Sequence, residues 1–189
     1  MQENSQIVYI VILVVILVAA SVSVFREVLK TQKLEKALSR LQDKMAKGDI
    51  TATEHYELGS VYLDKKLFSQ AALQFQKAIK LRELDGADLA AVCNALGYAY
   101  FAQEQFDLAV RQYKDALNEY PDYVIALNNL GHAYERKNLT SKAIEAYDKA
   151  LSLEPNNETS QRRAESRSEE RRVGKECTVL CSSRWSPYH

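Results

Sequence analysis

One pattern of side chains occurs three times in this chain of 189 residues. Each copy has a Leu-Gly pair that is followed, at the same offsets, by Tyr, Ala, an aromatic residue and Ala. The copies are marked by Gly59, Gly97 and Gly131, and in the second copy the later positions are Tyr100, Ala109, Tyr113 and Ala116. Small residues at helical spacing let two antiparallel helices touch, and large residues fill the gaps between neighbouring pairs. The pattern therefore predicts an all-α solenoid of three stacked helix-turn-helix units.

These units resemble the tetratricopeptide repeat (TPR), whose period is about 34 residues. The second and third glycines are one such period apart, and both of their copies end with a proline, Pro121 and Pro155, as this repeat does. We predict three TPRs within residues 51–158, at about residues 52–85, 90–123 and 124–157. The first two glycines are four positions further apart. The extra residues fall at about residues 81–86, where we expect them to lengthen a helix or loosen a turn.

The N-terminal part of the chain contains an uncharged apolar run that covers residues 7–25. As a helix it would be about 28 Å long, the thickness of a bilayer core. A cleaved signal peptide with its processing site at Ala19-Ala20 is the alternative. However, residues 1–6 contain no Lys or Arg, and the run is longer than the apolar core of a usual signal peptide. We therefore predict one transmembrane helix, a single span, within an N-terminal segment of residues 1–25.

Basic residues flank this apolar run on one side only. None precedes it, and five follow it within residues 26–40: Arg26, Lys30, Lys33, Lys36 and Arg40. The positive-inside rule then predicts that the N-terminus lies outside and that the repeats lie on the cytoplasmic side. Residues 26–50 also have helical spacing of apolar residues and predict a basic connecting helix that stops near Lys47-Gly48. We expect this helix to dock on the repeats, with a position on the membrane surface as the alternative.

The C-terminal segment, residues 167–189, differs abruptly in composition from the helical pattern before it. Its sequence begins RSEERRVGKEC and resembles a translated short-read sequencing adapter, so we interpret it as read-through and residues 159–166 as the end of the credible chain. Cys177 and Cys181 are then not a metal or redox pair. Without this segment, 20 basic and 22 acidic residues remain. That balance provides no strongly basic surface, so we expect no nucleic acid partner.

No constellation of residues indicates catalysis. His55 and His132 each lie in the first helix of a repeat, and no HExxH, CxxC or carboxylate-histidine cluster occurs. The glycines are isolated helix-contact residues rather than a phosphate-binding loop. Cys93 stands at the position of the second repeat where this motif often has Trp, and we expect it to pack as a small apolar residue. The sequence predicts no enzyme, no metal site and no cofactor.

In TPR stacks the first helix of each repeat lines a concave surface that binds other proteins. Asparagine can hydrogen-bond a peptide backbone, and aromatic residues offer amphipathic contact area. The motif register predicts nine residues in this partner-binding groove: Tyr56, Ser60, Leu63, Asn94, Tyr98, Phe101, Asn128, His132 and Glu135. The alternative for each of them is packing against a neighbouring repeat or the connecting helix. No Lys or Arg stands where chaperone-binding TPR domains hold a terminal carboxylate, so acidic chaperone tails are not expected as partners.

Four segments carry a closer resemblance: FREVLKTQKLEKALSRLQ, YELGSVYLDKKLFSQA, NALGYAYFAQEQFDLAVRQYKDAL and YPDYVIALNNL. They are similar to the TPR protein family of cyanobacteria and algal plastids known as hypothetical chloroplast reading frame thirty-seven, over about residues 24–166. The resemblance implies a thylakoid-membrane protein with repeats facing the cytoplasm or stroma. It also implies a role in the assembly or stability of photosystem I, with photosystem I subunits or assembly intermediates as partners.

Two other functions stay open on the sequence alone. One is another membrane-anchored TPR adaptor or chaperone, for instance one attached to the secretion machinery with its repeats outside the cytoplasm. The second is a structural protein whose repeats stack on copies of themselves, since residues 159–166 alone would have to cover the last repeat. The oligomeric state is therefore left undecided by the sequence.

Overall fold

The computed structural model describes residues 2–48, 50–166 and 168. They divide into an N-terminal unit that ends at Ile50 and a second unit that begins at Thr51. The helices are α1 Gln2–Lys47, α2 Ala52–Asp64, α3 Phe68–Leu81, α4 Gly86–Ala102, α5 Phe106–Glu119, α6 Val124–Arg136 and α7 Thr140–Leu153. Residues 158–166 are also helical. The described residues contain no strand, and the predicted all-α class is confirmed. The segment interpreted as adapter lies outside the described residues, except for residue 168.

The N-terminal unit is one helix of 46 residues, so the predicted anchor and connecting helix are continuous. Its large apolar side chains between Ile12 and Phe25 are exposed to between 46% and 64%. By length and composition the helix can cross a membrane, a criterion that a signal sequence near an N-terminus also meets. It ends at Lys47, and Gly48 follows with φ +74°, a left-handed conformation that favours glycine at a helix stop.

The second unit is a stack of three helix pairs: α2–α3, α4–α5 and α6–α7. Each pair is joined to the next by contacts of α3 with α4 and of α5 with α6, so helices adjacent in sequence are adjacent in space. The first helices also contact one another along the stack, α2 with α4 and α4 with α6. This arrangement confirms the predicted TPR solenoid.

Within each pair, a glycine of the first helix lies against an aromatic ring of the second. A methyl group added to Gly97 would lie 2.6 Å from Cε1 of Tyr113, closer than carbon atoms can pack. The three rings are almost fully buried, at 0% or 1% exposure. The pairs are Gly59 with Phe75, Gly97 with Tyr113, and Gly131 with Tyr147. The absence of a side chain at these glycines is therefore what lets the two helices of each repeat approach.

The turn inside each repeat also has one common form. A residue other than glycine has a left-handed backbone there: Lys66 at φ 59°, Glu104 at φ 60° and Asn138 at φ 56°. The amide of the following residue donates to the carbonyl of the repeat's tyrosine, as from Gln105 to Tyr100 at 3.0 Å. Asparagine tolerates this conformation, whereas Lys and Glu are strained in it. The turns are thus held by backbone hydrogen bonds rather than by residue preference.

The four extra residues after the first repeat lengthen α4, which has 17 residues against 13 in α2 and in α6. They also place Glu83 beside the start of α2, where its Oε2 accepts a hydrogen bond from the Ala52 amide at 2.8 Å. Thr51 and Glu54 form a capping box at the same helix end. A carboxylate at a helix N-terminus satisfies an amide and complements the helix dipole. The extension therefore helps to cap the first helix of the stack, a role that its sequence did not reveal.

The other end of the stack is covered by the helix of residues 158–166, which we call the end helix. Asn157 begins it, because its Oδ1 accepts from the Ser160 amide at 3.0 Å. Ser160 is fully buried, and Ala164 packs against the apolar core formed by the second and third repeats. The end helix thus covers the last repeat, as terminal elements of repeat proteins must for solubility.

Candidate partner-binding groove

The nine residues predicted for the groove all lie on the first helices, three each on α2, α4 and α6. Those three helices follow one another along the stack. The predicted residues nevertheless differ in what surrounds them, from one repeat to the next. The groove assignment itself stays a prediction.

In the first repeat, Tyr56, Ser60 and Leu63 are half-buried. The ring of Tyr56 lies 5.8 Å from that of Phe75, measured between centroids. The Ser60 hydroxyl donates to the Tyr56 carbonyl of its own helix at 2.9 Å, so its proton is already used. This part of the surface offers an aromatic ring and an aliphatic side chain without a charge.

In the second repeat, Tyr98 is the exposed member of the set, with 47% of its surface open to solvent. Asn94 is engaged instead: its Oδ1 accepts from Nδ2 of Asn129 at 2.9 Å, and its side chain is hydrogen-bonded to Tyr123. Burial raises the pKa of Tyr123, the nearby Tyr56 adds to this, and the bond to Asn94 opposes it. Asn94 therefore links the second repeat to the third, while Tyr98 is available to a partner.

Phe101 and His132 contact each other across the boundary between the second and third repeats. Their ring centroids are 4.6 Å apart. Phe101 also meets Phe106 edge-on at 5.4 Å, and the Arg136 guanidinium lies 4.8 Å from the centroid of the Phe106 ring. For these two predicted residues, packing between repeats is thus the observed environment.

In the third repeat, the end helix contacts two of the predicted residues. The Ser160 hydroxyl donates to Oδ1 of Asn128 at 2.5 Å, and Nη1 of Arg163 lies 2.5 Å from Oε2 of Glu135. The Glu135 side chain is only 6% exposed. Burial raises the pKa of the adjacent Tyr147, the charge of Glu135 adds to this, and Arg163 opposes it. The end helix therefore occupies this end of the surface.

Outside the predicted groove, the one cysteine and the one histidine that the structure describes are both buried. Cys93 is 5% exposed, and burial, with the charges of Asp115 and Glu119, raises the pKa of its thiol to about 11. His55 is 6% exposed, and its Nδ1 lies 2.9 Å from Oε1 of Gln74. No three of the described His, Cys, Asp and Glu residues are grouped so that they could hold a metal ion.

Models of the tetratricopeptide repeat match residues 55–83 and 94–158 of this chain. The protein ycf37 of Cyanophora paradoxa is 36% identical over 155 residues, which cover 82% of this chain and 90% of that protein. The chloroplastic tetratricopeptide repeat domain-containing protein PYG7 of Arabidopsis thaliana is 37% identical over 158 residues, covering 84% of this chain and 52% of that protein. The chain thus spans about half the length of the Arabidopsis relative. Among solved structures, the crystal structure of MamA shares the fold, with a TM-score of 0.70 at 21% identity over 79% of this chain and 85% of that one.

Proposed function

Because this chain belongs to the ycf37 family of TPR proteins, we propose that it is a membrane-anchored scaffold that assists the assembly or stability of photosystem I. The matching repeat is a protein-interaction module, and stacked TPRs bind partners along the surface of their first helices. The relative from Arabidopsis is chloroplastic by name, which agrees with a plastid or cyanobacterial setting. The partners are subunits of photosystem I or their assembly intermediates.

The observation that carries this proposal is the exposed Tyr98 among the uncharged residues predicted for the groove in the first two repeats. Around it, the predicted residues of the first two repeats are aromatic, aliphatic, hydroxyl or amide side chains. A half-exposed tyrosine supplies a large, rigid and amphipathic contact that loses little entropy on binding. Such a surface suits an apolar or neutral segment of a subunit before its proper neighbour covers it. The partner lies on the first two repeats, because the end helix takes up Asn128 and Glu135 of the third.

The long N-terminal helix supports the second half of the proposal. It is apolar and long enough to span a bilayer, and its basic residues follow the apolar run. We infer a single-pass protein of the thylakoid membrane, with its N-terminus in the lumen and its repeats in the cytoplasm or stroma. Confinement to the membrane plane raises its effective concentration near membrane-inserted subunits. A protease-protection assay on intact thylakoids tests the side on which the repeats lie.

The groove is tested by returning Tyr98→Ala to cells that lack this protein. We expect photosystem I to accumulate at clearly lower levels than with the unaltered chain. Tyr120→Ala is the matched control, because Tyr120 is equally exposed, at 44%, and lies at the end of α5, outside the predicted groove. Unchanged photosystem I with Tyr98→Ala, or an equal loss with both variants, would contradict the role of the groove.

A self-associating structural protein is less well supported. End-to-end stacking of copies needs an uncovered repeat at one end, and the end helix packs on the core of the third repeat. No observation on the described residues favours a second candidate over the assembly scaffold.

A further inference from the structure

A second surface feature is a cleft between α5, α6 and α7, with a volume of about 500 Å³. Its floor is apolar and is formed largely by α6, through Leu127, Leu130 and Tyr134. These three side chains are 2%, 7% and 7% exposed. Leu117 of α5 and Ala146 of α7 complete the apolar lining. The cleft therefore has a buried apolar floor between two flanking helices, a shape that can accommodate the apolar face of another helix.

The rim of this cleft is basic. Lys114 of α5 and Lys142 and Lys149 of α7 stand around it, with Glu145 as the acidic residue. The ion pairs seen among the described residues involve none of these three lysines. Lys142 instead holds its Nζ 5.9 Å from the centroid of the Tyr134 ring. Three ammonium groups at this rim are thus available to carboxylates from outside.

The concentration of positive charge is local. Residues 51–166 contain 17 acidic and 13 basic residues, so the repeat region as a whole is acidic. A basic site on an acidic body selects partners by charge as well as by shape, because like charges elsewhere repel acidic segments that approach in a wrong register.

The boundary between the first and second repeats can be compared with the one that forms this cleft. The equivalent place lies between α3, α4 and α5, where Gln76, Leu108 and Asp115 stand at the positions of the three lysines when the repeats are aligned on their Leu-Gly pairs. There Gln76 donates to the Tyr100 hydroxyl at 2.5 Å. TPR packing is thus made without these lysines one repeat earlier in the same chain. Their presence at the second boundary is not a structural requirement of the repeat.

We propose that this basic cleft binds an acidic amphipathic helical segment of a partner protein. Apolar side chains of that segment lie on the floor, over Leu127 and Leu130, and its flanking carboxylates pair with Lys114, Lys142 and Lys149. The cleft is a second binding surface, separate from the groove that contains Tyr98, and it does not depend on the identity of the partner there. Two surfaces let one repeat stack hold two segments at the same time.

The test uses the full chain in detergent micelles and a fluorescein-labelled synthetic peptide. The peptide carries Leu at helical positions i, i+3, i+4 and i+7, with Glu on both flanks. Fluorescence anisotropy should show saturable binding that weakens roughly tenfold or more in the variant Lys114→Gln, Lys142→Gln, Lys149→Gln, since three ion pairs are lost together. The same peptide with Lys in place of Glu should not bind.

The matched control is Lys66→Gln, Lys77→Gln, Lys80→Gln, which removes the same charge from exposed positions outside the cleft. It should keep the affinity, and Tyr98→Ala should keep it too. All substituted lysines are exposed, so we expect the variants to remain helical, which circular dichroism checks. No saturable binding of the Glu peptide, or equal weakening in both triple variants, would overturn the proposal. Cleft-dependent binding of anionic lipid vesicles without binding of the peptide would overturn it in favour of a membrane surface.

Discussion

The middle of the stack and its C-terminal end use the same repeat for different purposes. In the second repeat, Tyr98 is exposed on the first helix. In the third repeat, the corresponding surface meets the end helix, through Ser160 on Asn128 and Arg163 on Glu135. The register of the repeat thus predicts which side chains share a face. Contacts from outside the repeats, such as those of the end helix, determine which of these side chains are accessible to a partner.

The largest expected difference is in the free energy of unfolding that is lost when a buried aromatic ring is removed from the middle or from the C-terminal end of the stack. Tyr113→Ala in the middle removes a ring that is 1% exposed and that lies against Gly97. We expect a loss of about 3–5 kcal/mol in the free energy of unfolding, because a large cavity forms. Tyr147→Ala at the end should cost less than that, since the end helix can shift into the space. Urea unfolding followed by circular dichroism measures both, and Tyr113→Phe is the control that keeps the ring.

The exclusion of water from the middle of the stack is tested by Cys93. Burial raises the pKa of its thiol from 9.0 to about 11, so we expect about a hundredfold less thiolate at pH 8 than for an ordinary cysteine. Modification by a thiol reagent should be slowed at least as much, in a chain with Cys177→Ser and Cys181→Ser. Because the folded pKa is raised, the contribution of this group to stability is complete below pH 9 and is lost as the pH rises through 11. Rapid labelling at pH 8 would show that the middle of the stack opens.

The contact of the end helix is tested by Arg163→Ala. Glu135 is 6% exposed and Arg163 is 37% exposed, so the pair is partly shielded from water. We expect a loss of about 1–2 kcal/mol, because a nearly buried carboxylate loses its cation. The double variant with Glu135→Gln should recover part of this loss, which a double-mutant cycle measures. Additive effects of the two changes would mean that the ion pair does not hold the end helix.

The smallest effect concerns the turns of the two repeats. Glu104 and Asn138 both have left-handed backbones, but only asparagine tolerates that conformation well. Glu104→Gly should therefore raise the free energy of unfolding by up to about 1 kcal/mol, less the contribution of the exposed pair with Arg136. Asn138→Gly should change it by less. A larger gain from Asn138→Gly, measured by thermal unfolding, would reverse this difference between the turns.

The sequence predicted the repeats well because their signal is local and periodic. Gly97 and Tyr113 stand near each other in the chain, and the same spacing from glycine to aromatic residue recurs in the other two repeats. The contacts that cover the end of the predicted groove are instead made between residues far apart in the sequence. Ser160 meets Asn128 and Arg163 meets Glu135 across 32 and 28 residues, between side chains that no repeat position specifies.

The contact of Glu83 with the start of α2 and the grouping of the lysines in the basic cleft also depend on residues far apart in the sequence. Glu83 reaches the Ala52 amide across 31 residues, and Lys114 and Lys142 come from different repeats. Each of these residues looks like a solvated surface charge when it is taken alone. Only the packing of neighbouring repeats brings them to a helix end or to one rim, which is why single-sequence reasoning did not find them.

The most direct measurement places a photo-crosslinking benzoylphenylalanine at position 98 in the middle and, in a second chain, at position 162 on the end helix. Both sites are accessible to solvent, and replacing Tyr98 by another aromatic residue keeps its contact area. After irradiation of thylakoids, we expect an adduct with a photosystem I subunit from position 98 and none from position 162. Adducts from position 162 alone, or no photosystem I adduct from either position, would contradict a partner held on the first two repeats.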